Sequence, residues 1–309
     1  MFAHQLLSNA ISGDRRFLAR AITHIELRTP SVTAGLGALS VRRNTGPGTP
    51  HVIGITGPPG AGKSSLVDQL VTRARAQHQR VAVVAVDPSS PFSGGAILGD
   101  RIRMDRHTKD SGVYIRSLSS RGHVGGLCTA ATDVVRLLDA AGFDWIVVET
   151  VGVGQSELGV MEVADTAVVV LTPESGDSVQ AMKAGLLEIA DVFVVNKGDR
   201  EGAKRIATDL TQAVALSDAE GWQVPVVISS AREGWGLDET VAAIASHRQW
   251  CMGEGAAAWQ RRRGDAAVRL YLDLISERAR AQVVPLLQDG LEDQLRSGQL
   301  SPHQAAAQP

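Results

Sequence analysis

Eight consecutive residues, Gly57-Pro58-Pro59-Gly60-Ala61-Gly62-Lys63-Ser64, fit the pattern G-x-x-x-x-G-K-[ST]. Glycines let the backbone curl so that its N–H groups point at a phosphate chain, and a following helix adds positive potential at its N-terminus. Lys63 is placed to reach β- and γ-phosphates and the Ser64 hydroxyl to ligate Mg²⁺, with Ser65 in the same nucleotide-binding stretch. A second motif, Asn196-Lys197-Gly198-Asp199, reads N-K-x-D. A carboxylate at Asp199 can accept from the guanine N1–H and exocyclic amine together, whereas adenine offers no such paired donors on that edge. Guanine is the implied base. Ser230, Ala231 and Arg232 follow the last strand-like run, where a loop with backbone donors could close over that base.

A third group is acidic. Glu149-Thr150-Val151-Gly152 closes an apolar run, the place where phosphate-loop proteins put a metal-facing carboxylate and a glycine whose N–H senses the γ-phosphate. Asp87 ends another run before Pro88, and Asp100 and Asp105 lie in the loop behind it, so these carboxylates could meet the metal directly or through water. Val153, not Gln, follows Gly152, so the attacking water must be positioned from elsewhere, with Gln155 the nearby candidate; slow intrinsic turnover is expected. His107 and His123 read as exposed loop histidines, and Cys128 as a small apolar residue ahead of a helix.

These groups need a scaffold that brings strand ends together. Short β-branched runs recur at 51–56, 81–86, 145–149, 166–171, 192–195 and 226–228, with helical patterns between them. Near-continuous Val and Ile imply strands buried on both faces, the signature of a doubly wound, mainly parallel α/β sheet covered by helices. In such folds the loops at the carboxyl ends of the strands hold the ligand. Two Gly/Ser-rich stretches, 88–99 and 117–126, follow strand-like runs and belong to those loops. Residues 1–50 read as a helical extension ending in the linker Asn44 to Pro50, residues 51–252 as the nucleotide domain, and residues 253–309 as a helical arm. Arg261-Arg262-Arg263, opening the arm, reads as a solvated helix face.

The 309 residues carry 31 Lys plus Arg against 33 Asp plus Glu, which gives no basic footprint for nucleic acid. Two cysteines cannot make a disulfide framework or a structural zinc site, and no run approaches the roughly 18 apolar residues of a membrane span. A cytoplasmic protein is expected, with neither nucleic-acid nor membrane partners. Five of the basic residues are lysines, and two of those five, Lys63 and Lys197, stand in the two nucleotide motifs.

The phosphate motif, the stretch Asp87 to Met104, Glu149 to Glu157 and Asn196 to Asp199 together closely resemble the MeaB/ArgK family, P-loop GTPases of the SIMIBI class that act as chaperones of adenosylcobalamin-dependent methylmalonyl-CoA mutase. The resemblance spans nearly the whole chain, and Asp87 to Met104 is its most family-specific part. It implies that Lys63 and Ser64 bind phosphate and Mg²⁺, that Asp87, Asp100 and Glu149 form the metal and water shell, and that Asp199 with Ser230 to Arg232 holds guanine of GTP or GDP. It also implies a homodimer built through the C-terminal arm and an element at Glu174 to Lys183 that relays nucleotide state to the mutase. Two rivals stay open on the motifs alone: a metal-insertion GTPase of the urease or hydrogenase maturation type, and an ATP-dependent kinase of a transport system.

Overall fold

Each central strand carries apolar side chains at both odd and even positions, so both faces of the sheet need cover. The computed structural model describes residues 2–39, 49–87, 105–119, 126–150, 163–175, 186–216, 221–283 and 290–306. Its backbone divides into two compact units, Met1–Gly264 and Asp265–Pro309.

In the first unit, helices α1 (Phe2–Ile11), α2 (Arg15–Glu26) and α3 (Pro30–Leu36) precede strand β1 (His51–Thr56) and helix α4 (Lys63–Ala76). Then come β2 (Val81–Asp87), a single-turn helix at Asp105–His107, β3 (Val113–Ser119), α5 (Gly126–Ala140), β4 (Trp145–Thr150) and β5 (Thr166–Leu171). A turn at Pro173–Ser175, α6 (Leu186–Ile189), β6 (Val192–Val195), α7 (Ala203–Ala215), β7 (Val226–Ile228) and α8 (Leu237–Met252) follow. Among the described residues the strands form one sheet in the order β3-β2-β4-β1-β5-β6-β7, and every pairing is parallel. β1 therefore sits near the middle, and its carboxyl end, where the phosphate motif begins, is flanked by the ends of β4 and β5.

Alternation inside the strands sorts the core. Ala82, Val84, Val86, Ile146 and Val148 point to one face, under α1, α2, α3 and α5. Val81, Val83, Val147, Val168, Val170 and Val194 point to the other, under α4 and α8. Val169, Leu171, Phe193 and Val195 meet Ala203, Ile206 and Leu210 of α7. The N-terminal helices are thus part of the sheet's cover. Asp14 accepts from the backbone N–H groups of Arg16 (2.8 Å) and Phe17 (3.3 Å), capping α2. That helix buries Leu18, Ile22 and Ile25, each worth about 1.5–3 kcal/mol relative to exposure. Two ion pairs, Arg28 with Asp133 and Arg116 with Glu26, tie α2 and its exit to α5 and β3.

One strand differs from the sequence expectation. β3 was read in part as loop from residue 117, but it runs to Ser119. It is an edge strand paired only to β2, and its apolar run is broken by Arg116, half-buried against Glu26 and Thr23 of α2, and by Ser117 on the opposite face. Likewise α5 begins at Gly126, so Cys128 lies within the helix, not ahead of it.

Helix α9 (Ala256–Val283) starts in the first unit and crosses into the second. Arg261 and Arg263 are exposed, as a solvated face requires, with Arg263 lying 4.6 Å over the Trp259 ring, but Arg262 between them is half-buried and contacts both oxygens of Asp191 at 3.1 and 3.0 Å. In the second unit, α9 continues with Val268, Tyr271, Leu272 and Ile275 exposed, followed by α10 (Leu291–Arg296) and α11 (Pro302–Ala306). Among the described residues, no helix is long and apolar enough to cross a membrane.

The amino ends of the strands carry a buried polar chain. His51 Nε2 lies 2.7 Å from Thr166 Oγ1, Thr166 Oγ1 lies 2.8 Å from His247 Nδ1, and His247 Nε2 faces Asp191 Oδ1 at 3.4 Å. A carboxylate only accepts, so the His247 proton sits on Nε2, Thr166 donates to His247 Nδ1, and His51 Nε2–H donates to Thr166. Burial pushes His51 down to about 3 and also lowers His247, keeping both rings neutral. Because the unfolded chain binds the His51 proton near pH 6.5 and the folded one does not, stability is full above that pH and falls as pH drops toward 3. Asp165, raised by burial, titrates in the opposite sense. Between pH 7.5 and 5, His51 alone removes about 2 kcal/mol. Urea unfolding at the two pH values should show His51→Gln losing less than the parent by that amount; equal losses would contradict the assignment.

Candidate nucleotide site

The phosphate motif leaves β1 through backbone that side chains resist. Gly57 has φ 142° and a Cβ there would lie 2.0 Å from the Val170 carbonyl oxygen. Gly62 has φ 85°, and its Cβ would meet Asn196 Nδ2 at 2.4 Å. Only glycine passes at both points. The loop then enters α4 at Lys63, whose Nζ donates to the carbonyls of Gly57 (2.5 Å) and Pro58 (3.1 Å), folded back over the loop. Ser64 Oγ donates to Glu149 Oε1 at 2.6 Å, with both residues buried. Register explains that meeting: Glu149 on β4 is level with Ile55 on β1, just below the start of the loop.

β6 brings the second motif. Asn196 Nδ2 donates to the Ala61 carbonyl at 2.8 Å, and its Oδ1 accepts from the Ala231 backbone N–H at 3.0 Å. Asn196 is 2% exposed. One amide thus joins the phosphate loop to the loop after β7. Lys197 adopts a left-handed backbone (φ 56°), and Gly198 slips between Ile228 and Trp235, with its N–H donating to Ser229 O at 2.8 Å. That turn presents Asp199 outward. Ser230 Oγ donates to Asp199 Oδ1 at 2.7 Å, and this bond, with the nearby backbone N–H and Arg200, holds the Asp199 carboxyl below the usual range. It stays an ionised acceptor.

These elements line a cleft of about 420 Å³, whose walls include Gly62, Ser65, Asn196, Lys197, Asp199, Ser230, Ala231 and Arg232. A volume of that order suits a nucleotide-sized ligand. The motifs singled out in the sequence therefore converge, from three strand ends, on one site.

Other expected residues stand apart in what can be said of them. Asp87 ends β2 one position beyond the level of Thr150 on β4, and only its backbone is described. Asp100, Gly152, Gln155 and His123 lie outside the described residues, as does most of Glu174 to Lys183. Glu174 itself is paired with Arg200, the neighbour of Asp199, and that guanidinium holds its carboxyl down to about 2. His107, read as an exposed loop histidine, is buried and contacts Asp68 on α4. Asp68 and Gln69 also line the cleft, and sequence reading missed both. Their signal was present: three and four residues after Ser65, they share the face of α4 that Ser65 of the nucleotide stretch opens.

Comparison with known proteins agrees with this geometry. A family model described as methylmalonyl Co-A mutase-associated GTPase MeaB matches residues 18–284. The Escherichia coli GTPase ArgK is 38% identical over 237 residues, covering 75% of this chain and 72% of its own. A mitochondrial mouse protein named methylmalonic aciduria type A homolog is 33% identical over 327 residues, covering 99% of this chain and 78% of its own. A solved structure titled LAO/AO transport system kinase superposes with a TM-score of 0.71 at 26% identity, covering 97% of this chain and 94% of that one.

Replacing Asn196 by Ala would strand the buried Ala61 carbonyl and Ala231 N–H together. Asn196→Ala is expected to lose about 2–4 kcal/mol in urea unfolding without nucleotide. An unchanged midpoint would show that the bracket is not needed.

Proposed function

Because the chain belongs to the family of methylmalonyl-CoA mutase-associated GTPases, we propose that its GTP hydrolysis gates the loading or protection of an adenosylcobalamin-dependent methylmalonyl-CoA mutase. The chain is a P-loop GTPase. The observation that carries the hydrolase reading is the shared cleft, in which the phosphate loop and the guanine-reading residues are joined through Asn196. The mutase reading is supported by the family description and by likeness to the mouse methylmalonic aciduria protein.

In this reading the backbone of Gly57 to Ser65 cradles the phosphates. Lys63 exchanges its bonds to the Gly57 and Pro58 carbonyls for phosphate oxygens. Ser64 and Glu149, a hydroxyl and a carboxylate already converging within 2.6 Å, are hard oxygen donors that fit Mg²⁺, with Asp87 and Asp100 completing the metal and water shell. Magnesium, when bound, would neutralise charge on the transferred phosphoryl group. Gly152 senses the γ-phosphate and Gln155 takes the water-orienting role that Val153 cannot, so unassisted turnover stays below about 1 per second. Asp199, fixed by Ser230, accepts from guanine N1–H and the exocyclic amine, while Ala231 and Arg232 close over the base. Two copies pair through α9, whose exposed Val268, Tyr271, Leu272 and Ile275 recur at the i, i+3, i+4, i+7 spacing of a helix seam.

The kinase name carried by the superposed structure suggests a second reading, phosphate transfer from ATP. The N-K-x-D geometry favours guanine over it. Asp199→Asn replaces one acceptor by a donor, so GTP affinity should fall about 100-fold or more while xanthosine triphosphate, with a carbonyl in place of the amine, becomes the better ligand. Unchanged GTP binding would remove Asp199 from base reading. The partner is tested by affinity capture with a non-hydrolysable GTP analogue, with GDP and without nucleotide. A cobalamin-dependent mutase retained in a nucleotide-dependent manner is expected; its absence in all three states would leave a GTPase without that role.

A further inference from the structure

Gln69 belongs to none of the nucleotide motifs, yet it lines the same cleft as the base-reading turn. Its placement is helical: Ser65, Asp68 and Gln69, at i, i+3 and i+4, bring one face of α4 to the cleft that Asp199, Ser230 and Arg232 line from the loops after β6 and β7. Six residues after Lys63, it sits about 9 Å farther along the helix axis than the phosphate-reaching lysine, beside the nucleoside end of the cleft. One turn further on, Arg73 Nη1 donates to Gln69 Oε1 at 3.3 Å, while Arg73 Nε donates to Asp238 at the start of α8. A guanidinium carries donors only, so the amide atom that it holds is the oxygen. Nε2 of Gln69, with two N–H donors and no hydrogen-bond partner among the described residues, is the polar end left for a ligand.

We propose that Gln69 is a specificity-determining residue for the nucleotide: its Nε2 donates to guanine O6 while Asp199 accepts from N1–H and the exocyclic amine. The inference deepens the GTPase reading and rests on Asp199 reading the base. Guanine presents an acceptor at position 6 beside donors at N1 and the 2-amine, whereas adenine presents a donor at position 6 and an acceptor at N1. A cleft with a held donor and an ionised acceptor therefore matches guanine twice and opposes adenine twice. O6 needs such a donor, because the buried Ala231 N–H, in the loop that closes over the base, is already given to Asn196 Oδ1 at 3.0 Å. Among the cations that line the cleft, Arg200 is paired with Glu174, and Arg232 is 90% exposed beside Glu233. The Lys197 ammonium is a point charge whose donors rotate, while the bond from Arg73 fixes the direction of the Gln69 amide.

The test compares Gln69→Leu, which removes the donor, and Gln69→Glu, which puts an acceptor on the same stem, with the parent full-length chain. Gln69 is half-buried on α4, and both replacements are good helix formers, so the fold is kept. Competition against labelled GDP with Mg²⁺ reads the affinities of GDP, 2′-deoxy-GDP, ADP and 2-aminopurine riboside diphosphate, which lacks O6. Gln69→Leu should weaken GDP and 2′-deoxy-GDP alike, about 3- to 10-fold, and leave the 2-aminopurine nucleotide within about twofold of its parent value. Gln69→Glu should cut the preference for GDP over ADP by about 10-fold or more. An equal loss with the 2-aminopurine nucleotide would show that Gln69 does not touch O6, and a loss with GDP that is missing with 2′-deoxy-GDP would move the contact to the ribose. A parent that prefers GDP, with the same preference in both variants, overturns the role of Gln69 alone; a parent without that preference overturns the guanine reading and this proposal with it.

Discussion

Asn196 is bonded at both ends of its side-chain amide, to Ala61 in the phosphate loop and to Ala231 in the loop after β7. A buried amide with both ends satisfied holds its partners to within a hydrogen bond's tolerance. The approach is close enough that a side chain at residue 62 would collide with it, so glycine there is required by the bracket as well as by its φ of 85°. Everything about the nucleotide cleft follows from keeping that residue in place. It stands at the end of β6, whose Val192 to Val195 are fully buried, and β6 is held between β5 and β7 in a sheet whose centre is β1. The loop after β1 and the loop after β7 are thus registered by one side chain on a rigid strand, not by two loops finding each other.

Chemistry and anchoring use opposite ends of the same strands. The carboxyl ends carry Gly57 to Ser65, Glu149 and Asn196 to Asp199. The amino ends carry His51, Thr166 and Asp191, tied through His247 to α8 and through Arg262 to the first turns of α9. Neutral histidines suit that place, since a charge there would lack water, and the hydroxyl of Thr166 lets two neutral rings share one directional chain. Perturbed titration marks a functional site in many proteins, but here the strongest histidine shift belongs to the anchor.

What could be read from the sequence was local. The glycine positions of the phosphate motif, the N-K-x-D turn and strands buried on both faces leave their mark within a few residues, and the structure places each as expected. Edge strand β3 was partly missed because Arg116, turned to Glu26 of α2, and Ser117 break the apolar run. Pairings across long separations left no local mark. Asp68 and His107 are 39 residues apart, and Asp191 and Arg262 are 71 apart, so His107 read as exposed and Arg262 as solvated when both are committed to buried or half-buried partners. The N-terminal helices read as an extension, yet Leu18, Ile22 and Ile25 complete the cover over β2 and β4.

The most direct test of the central claim, that one bracketed cleft reads guanine and phosphate together, is calorimetric titration of the intact chain with Mg²⁺ and three diphosphates. GDP should bind tightly, inosine diphosphate, which lacks the exocyclic amine, about 10- to 100-fold more weakly, and ADP weaker still by a further factor of about 10 or more. ADP binding as tightly as GDP would contradict the account.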